Sequence, residues 1–128
     1  MPTIPETYLD LFNKASFAHL ATTMPDGSPQ VTPVWVDYDG TYILVNSARG
    51  RVKDRNIRTG VRVAIEIMDA DDPYRYIQVR GPVAEITEDG AETHINTLSH
   101  RYRGKDYSYR PGEVRVIYKI EPDKLDLH

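Results

Sequence analysis

Residues 61–69, "VRVAIEIMD", alternate without a break. In an extended chain Val61, Val63, Ile65 and Ile67 fall on one face and Arg62, Ala64 and Glu66 on the other, as in a strand with one buried side. Past a short acidic loop, "DADDP" (69–73), "YRYIQVRGPVAEIT" (74–87) reads as a second, longer strand, and Gly81-Pro82 should bulge or bend it. Before the alternating run lies "RVKDRNIR" (51–58), a helix of about two turns between Gly50 and a stop at Gly60. "TYILVN" (41–46) is an apolar run of strand length leading into it.

The flanks read in the same way. "PETYLDLFNKA" (5–15) predicts a helix, "FAHLATTM" (17–24) a strand, and "PDGS" (25–28) a turn by its Pro-Asp-Gly chemistry. "PQVTPVWVDY" (29–38) predicts a strand in which Pro29 and Pro33 lack ladder donors. "EDGAETHINTLSHRYRG" (88–104) predicts a helix with Ala91, Ile95, Leu98 and Tyr102 along one stripe, and "EVRVIYKIEP" (113–122) is the last strand. The order is α-β-β-β-α-β-β-α-β. Links this short favour antiparallel pairing, so the expected fold is mainly β (α+β), a closed or nearly closed six-stranded barrel with short flanking helices. A doubly wound parallel sheet would need a helix between each strand pair. At 128 residues a single domain over 1–128 is expected.

The chain has no cysteine, which removes disulfides, thiolate metal sites and a cysteine nucleophile. No apolar run approaches the ~20 residues that cross a bilayer. The first ten residues lack the basic and apolar regions of a signal peptide, so no membrane association and a cytoplasmic location are expected.

Charge is unevenly placed. Arg49, Arg51, Lys53, Arg55 and Arg58 fall within ten positions, opposed only by Asp54, a local +4 on a chain of −3 that leaves −7 elsewhere. A polyanion would be repelled by that remainder, whereas one small phosphate would feel mainly the local field. Free N–H groups at a helix start, an arginine fork and a lysine point charge all suit phosphate. A solvated charged helix face stays open at this level, and pattern alone favours it. His19, His94, His100 and His128 have no ligand spacing, Asp69, Asp71 and Asp72 lack the calcium-loop pattern, and no nucleophile elbow or phosphate-cradling glycine loop is present. No metal site and no catalytic side chain is nominated. An enzyme of this composition would rely on a bound cofactor for its chemistry.

Three segments, "DGSPQVTPVWVDYDG" (26–40), "ILVNSARGRVKDRNIR" (43–58) and "VAIEIMDADDPYRYIQVRG" (63–81), resemble the flavin and deazaflavin oxidoreductases of pyridoxamine 5′-phosphate oxidase-like fold. Within them the chain is similar to the branch that uses the deazaflavin coenzyme F420. The likeness runs in order from Phe17 to Val116, and its most specific part is the Arg-x-Lys-x-Arg-Asn element after a strand. It implies a six-stranded split β-barrel working as a homodimer, with coenzyme F420, or alternatively FMN, in grooves at the interface. By position, Arg51 and Lys53 would bind the cofactor phosphate and Ser47 and Ala48 would line the approach to it. Pro33, Val34 and Trp35 would lie along the ring, and Tyr74 and Tyr76 would complete the ring pocket from the other protomer. Arg55 would meet an anionic cofactor tail or face water. The implied activity is hydride transfer between the coenzyme and a small conjugated organic substrate. A non-enzymatic flavin- or haem-binding protein on the same barrel is the other class.

The charge distribution makes one prediction. In a gel-shift assay at about 0.15 M salt, the physiological ionic strength, submicromolar protein should leave DNA and RNA unshifted.

Overall fold

The computed structural model describes residues 2–128. All six expected strands form, and two short ones join them. In chain order these are β1 (Ala18–Thr23), β2 (Pro29–Val34), β3 (Asp37–Tyr38), β4 (Ile43–Ala48), β5 (Arg62–Met68), β6 (Tyr76–Thr87), β7 (Arg115–Ile120) and β8 (Lys124–Leu127). The helices are α1 (Asp10–Asn13), α2 (Val52–Asn56) and α3 (Ala91–Arg103). The alternation that marks β5 is realised: Val63, Ile65 and Ile67 are buried while Arg62 is exposed. The stripe expected on α3 buries Ala91, Ile95 and Leu98, and Gly104 caps it in the left-handed conformation.

Three expectations change. The strand expected over 29–38 breaks after Val34, because the Val36 N–H leaves the ladder and donates to the Tyr102 hydroxyl (3.1 Å). The N-terminal helix is only a 3₁₀ turn, Glu6–Tyr8, followed by the single turn of α1, which turns Leu11 and Phe12 into the core. The basic helix stops at Asn56 rather than Gly60, since Ile57 is extended and buried in the core cluster.

The sheet runs β2-β1-β5-β6-β7-β4-β3, with β8 on β6. Its end strands, β2 and β3, do not pair with each other, so the barrel is split rather than closed. Strand β6 belongs to both halves. Residues Tyr76 to Pro82 pair with β5, and from Val83 onward the strand pairs with β7, with a register shift between Val83 and Glu85. The bulge thus falls just beyond Gly81-Pro82, through which the strand is continuous. At this junction the chain after β7 crosses β6, with Glu121 N–H donating to the Pro82 carbonyl (2.9 Å) and Asp123 N–H to that of Arg80 (3.2 Å). Gly81 permits the crossing: a Cβ there would lie 1.8 Å from the Glu121 carbonyl oxygen. Among the described residues no helix is long and apolar enough to cross a membrane.

Because the obstacle is backbone, it cannot swing aside like a side chain. Gly81→Ala should therefore destabilise the fold by about 2–3 kcal/mol, as overpacking does, read as a lower midpoint in urea. An unchanged midpoint would show that the crossing strand relaxes freely.

Candidate functional site

The site begins where β4 hands over to α2. The chain reverses at Gly50, and the Asp54 carboxylate accepts from the Gly50 N–H (2.9 Å), from Arg49 (3.3 Å) and from the Tyr118 hydroxyl of β7 (2.6 Å). Burial pushes the Tyr118 pKa up, and Asp54 pushes it further, so the phenol stays a donor. Arg49 also bonds Glu88 (3.2 Å) and is thereby compensated. Arg55 and Arg58 are exposed, and Arg58 lies beyond the shortened helix.

Lys53 differs from the other basic residues. It is 8% exposed, and among the described residues no carboxylate lies within 4.0 Å of its ammonium. Burial lowers its pKa, and the positive charges of Arg51 and Arg115 lower it further. An isolated buried cation is costly, and an incoming anion relieves that cost.

Lys53 and Arg51 line a cavity of about 200 Å³. Pro33, Val34 and Trp35 form another wall, with Phe17 and Ile95 beside them. Trp35 is half-buried and stacks on Tyr102 (5.2 Å between ring centroids, 15° between planes), while Phe17 meets Tyr102 edge-on at 5.6 Å. The structure therefore brings together Pro33, Val34, Trp35, Arg51 and Lys53. Within one chain, Ser47, Ala48, Arg55, Tyr74 and Tyr76 do not line this cavity. Ser47 and Ala48 are buried in β4, Tyr74 is 88% exposed, and Tyr76 stacks on His128 at 4.4 Å.

Besides the apolar Phe17 and Ile95, three polar lining residues escaped the sequence reading: Asn46, Tyr107 and Arg115. They form the inner end of one polar network. Arg115 Nε donates to Asn46 Oδ1 (3.0 Å), and because arginine only donates, this contact fixes the amide orientation. Asn46 Nδ2 then donates to the Ala91 carbonyl (2.9 Å) and to His94 Nδ1 (3.1 Å), leaving His94 Nε2 to donate to Asp37 (3.1 Å). Burial works against the Asp37 carboxylate, but His94, the Tyr38 N–H and Arg101 outweigh it and hold its pKa below the ordinary value. One signal for Arg115 was present. Glu113 and Arg115 are two apart, so a strand places them on the same side.

With this geometry in view, relatives can be compared. The family described as pyridoxamine 5′-phosphate oxidase matches residues 4–128. The chain belongs to that family. Among solved structures, an F420 reductase is 35% identical over 96% of this chain and 98% of its own, with a TM-score of 0.82. An FAD- and haem-binding protein from Mycobacterium smegmatis (18% identical, 98% of this chain and 72% of that one, TM-score 0.70) shares the fold. So does General Stress Protein 26 from Bacillus anthracis (22%, 94% and 89%, 0.69). No curated protein matches the chain. The pyridoxamine 5′-phosphate oxidase-like fold, mainly antiparallel β with an unclosed sheet, is the one expected from the sequence.

The unpaired lysine makes a stability prediction. A lysine whose folded pKa lies below its free value of 10.5 costs stability while it is charged, and that cost fades as pH rises through the lowered pKa. Lys53→Met should thus stabilise the ligand-free protein at pH 7 by about 1 kcal/mol, a gain typical of residues kept for function. Melting curves should show the gain shrinking toward pH 10. A variant that melts lower than the parent at pH 7 would mean the lysine stabilises the fold.

Proposed function

We propose that this chain is an oxidoreductase that binds coenzyme F420 and transfers hydride between the deazaflavin and a small conjugated organic substrate. The observation that carries this reading is Lys53, a buried residue with no carboxylate within 4.0 Å among the described residues, beside Arg51 in a cavity walled by Trp35. Such a site fits a cofactor with a phosphate at one end and a flat ring at the other. The likeness to an F420 reductase at 35% identity supports the deazaflavin. FMN is the alternative, since it also pairs a phosphate with a tricyclic ring.

The bound cofactor would supply the hydride chemistry. The chain's own residues would bind, orient and exclude water. Arg51 and Lys53 would hold the phosphate, Pro33, Val34 and Trp35 would lie along the ring, and Ser47 and Ala48 would set the approach from the end of β4. Arg55, on the exposed side of α2, would meet an anionic tail of the cofactor. No acid or base is required of the protein, because positioning and water exclusion carry much of a hydride transfer.

A cavity of about 200 Å³ is smaller than the roughly 300–1,000 Å³ usual for ligand sites. A second protomer in a homodimer would complete it, bringing the exposed Tyr74, and Tyr76 beside it, over the ring.

Titration with coenzyme F420 and with FMN, followed by fluorescence, tests this reading. Lys53→Ala should weaken binding roughly ten- to hundredfold, the loss of a charge-assisted contact, and Arg51→Ala at least as much. Arg58→Ala should change little. Equal small losses for all three would make the segment a diffuse charged face.

A further inference from the structure

We propose that Arg115 recognises a neutral oxygen acceptor, a carbonyl or amide oxygen, on the same molecule whose anion Arg51 and Lys53 hold. This rests on reading the cavity as the cofactor site, and it assigns that cavity a second point of recognition. Arg115 is 4% exposed and fully oriented. Its Nε bonds Asn46, and its Nη1 bonds Glu113 (3.0 Å) and the Tyr107 hydroxyl (3.1 Å). Tyr107 in turn donates to Glu113 (2.8 Å), and its ring lies under the guanidinium at 5.1 Å.

What remains is Nη2. It has no hydrogen-bond partner among the described residues, and it is not one of the sealed, unpaired buried atoms. Arg115 also borders a second, acidic hollow near Glu88 and Glu92. Of the partners that orient its side chain, Asn46 and Tyr107 line the first cavity and Glu113 the second. Nη2 shares its edge of the guanidinium with Nε, whose acceptor Asn46 lines the first cavity, so the free N–H edge is assigned to that cavity.

Charge decides what that edge takes. Glu113 already neutralises Arg115, so the pair offers a directed donor with little net charge. Lys53 has no such carboxylate, and Arg51 forms no ion pair among the described residues. An anion is therefore drawn to Arg51 and Lys53, while Arg115 suits an uncharged acceptor, which needs a donor and no counter-charge. Arg51, Lys53 and Arg115 line the same cavity of about 200 Å³, so one ligand spans both contacts.

The experiment uses the intact protein and two ligand pairs: coenzyme F420 with its phosphate-free deazariboflavin core, and FMN with riboflavin. Arg115→Lys keeps the charge beside Glu113 but loses the second N–H arm. It should weaken the phosphorylated ligand and its phosphate-free core by the same factor, roughly tenfold. Lys53→Ala should weaken only the phosphorylated member. Melting curves confirm folding, and should Arg115→Lys not fold, the neutral pair Arg115→Gln with Glu113→Gln replaces it.

A loss confined to the phosphorylated ligand would make Arg115 a third phosphate contact and overturn the proposal. No loss for either ligand, or no detectable binding of the cores to the parent protein, would overturn it as well. If the parent binds neither coenzyme F420 nor FMN, the cofactor reading itself fails and this proposal with it. A parent that binds, with Lys53 behaving as expected and Arg115 not, isolates the failure to Arg115.

Discussion

The Asp54 carboxylate sets the geometry of the cavity that Arg51 and Lys53 line. It takes the Gly50 N–H, the Arg49 guanidinium and the Tyr118 hydroxyl together, tying the first turn of α2 to the far strand β7. A five-residue helix has little stability of its own. With its start pinned and Ile57 drawn into the core, it has one orientation left, and in that orientation Lys53 points inward and Arg55 outward. One carboxylate therefore decides which of the five neighbouring cations meet the cavity. Removing it would release the helix start and leave the buried Tyr118 hydroxyl without its partner.

The charges around the cavity divide by whether the fold compensates them. Arg49 is answered by Asp54 and Glu88, and Arg115 by Glu113. Lys53 is left without a carboxylate although it is nearly as buried as Arg115. A fold selected for stability alone would pair or replace such a lysine, since a buried uncompensated ammonium opposes folding. The lysine left uncompensated is one that lines the cavity together with Arg51.

Local pattern explains what could be read before the structure was known. The period-two alternation at 61–69 is a property of neighbours, and so is the crowding of Arg51 and Lys53 after a strand. In the fold the alternation buries Val63, Ile65 and Ile67, and Arg51 and Lys53 come together at one cavity. The break after Val34 was not legible, because it depends on the Tyr102 hydroxyl reaching Val36 from a helix 66 positions later. The end of α2 was misread for a related reason: Gly60 is a good stop, but the core claims Ile57 first. Arg115 was hidden because the β4–β7 register, which sets Ala48 opposite it, carries it to the cavity, and Tyr107 because it is held there by Asn96 and Arg115. Asn46 looked like the end of an apolar run, when it is a crossing point between β4, α3 and β7.

These two origins give the cavity two separable ends. The Arg51 and Lys53 end is built from residues close together in sequence and held by one helix turn. The Arg115 end depends on β7, on α3 through Asn46 and His94, and on the residues from Tyr107 to Glu113. A substitution in the loop between α3 and β7 can reorient Arg115 without disturbing Asp54 or the start of α2.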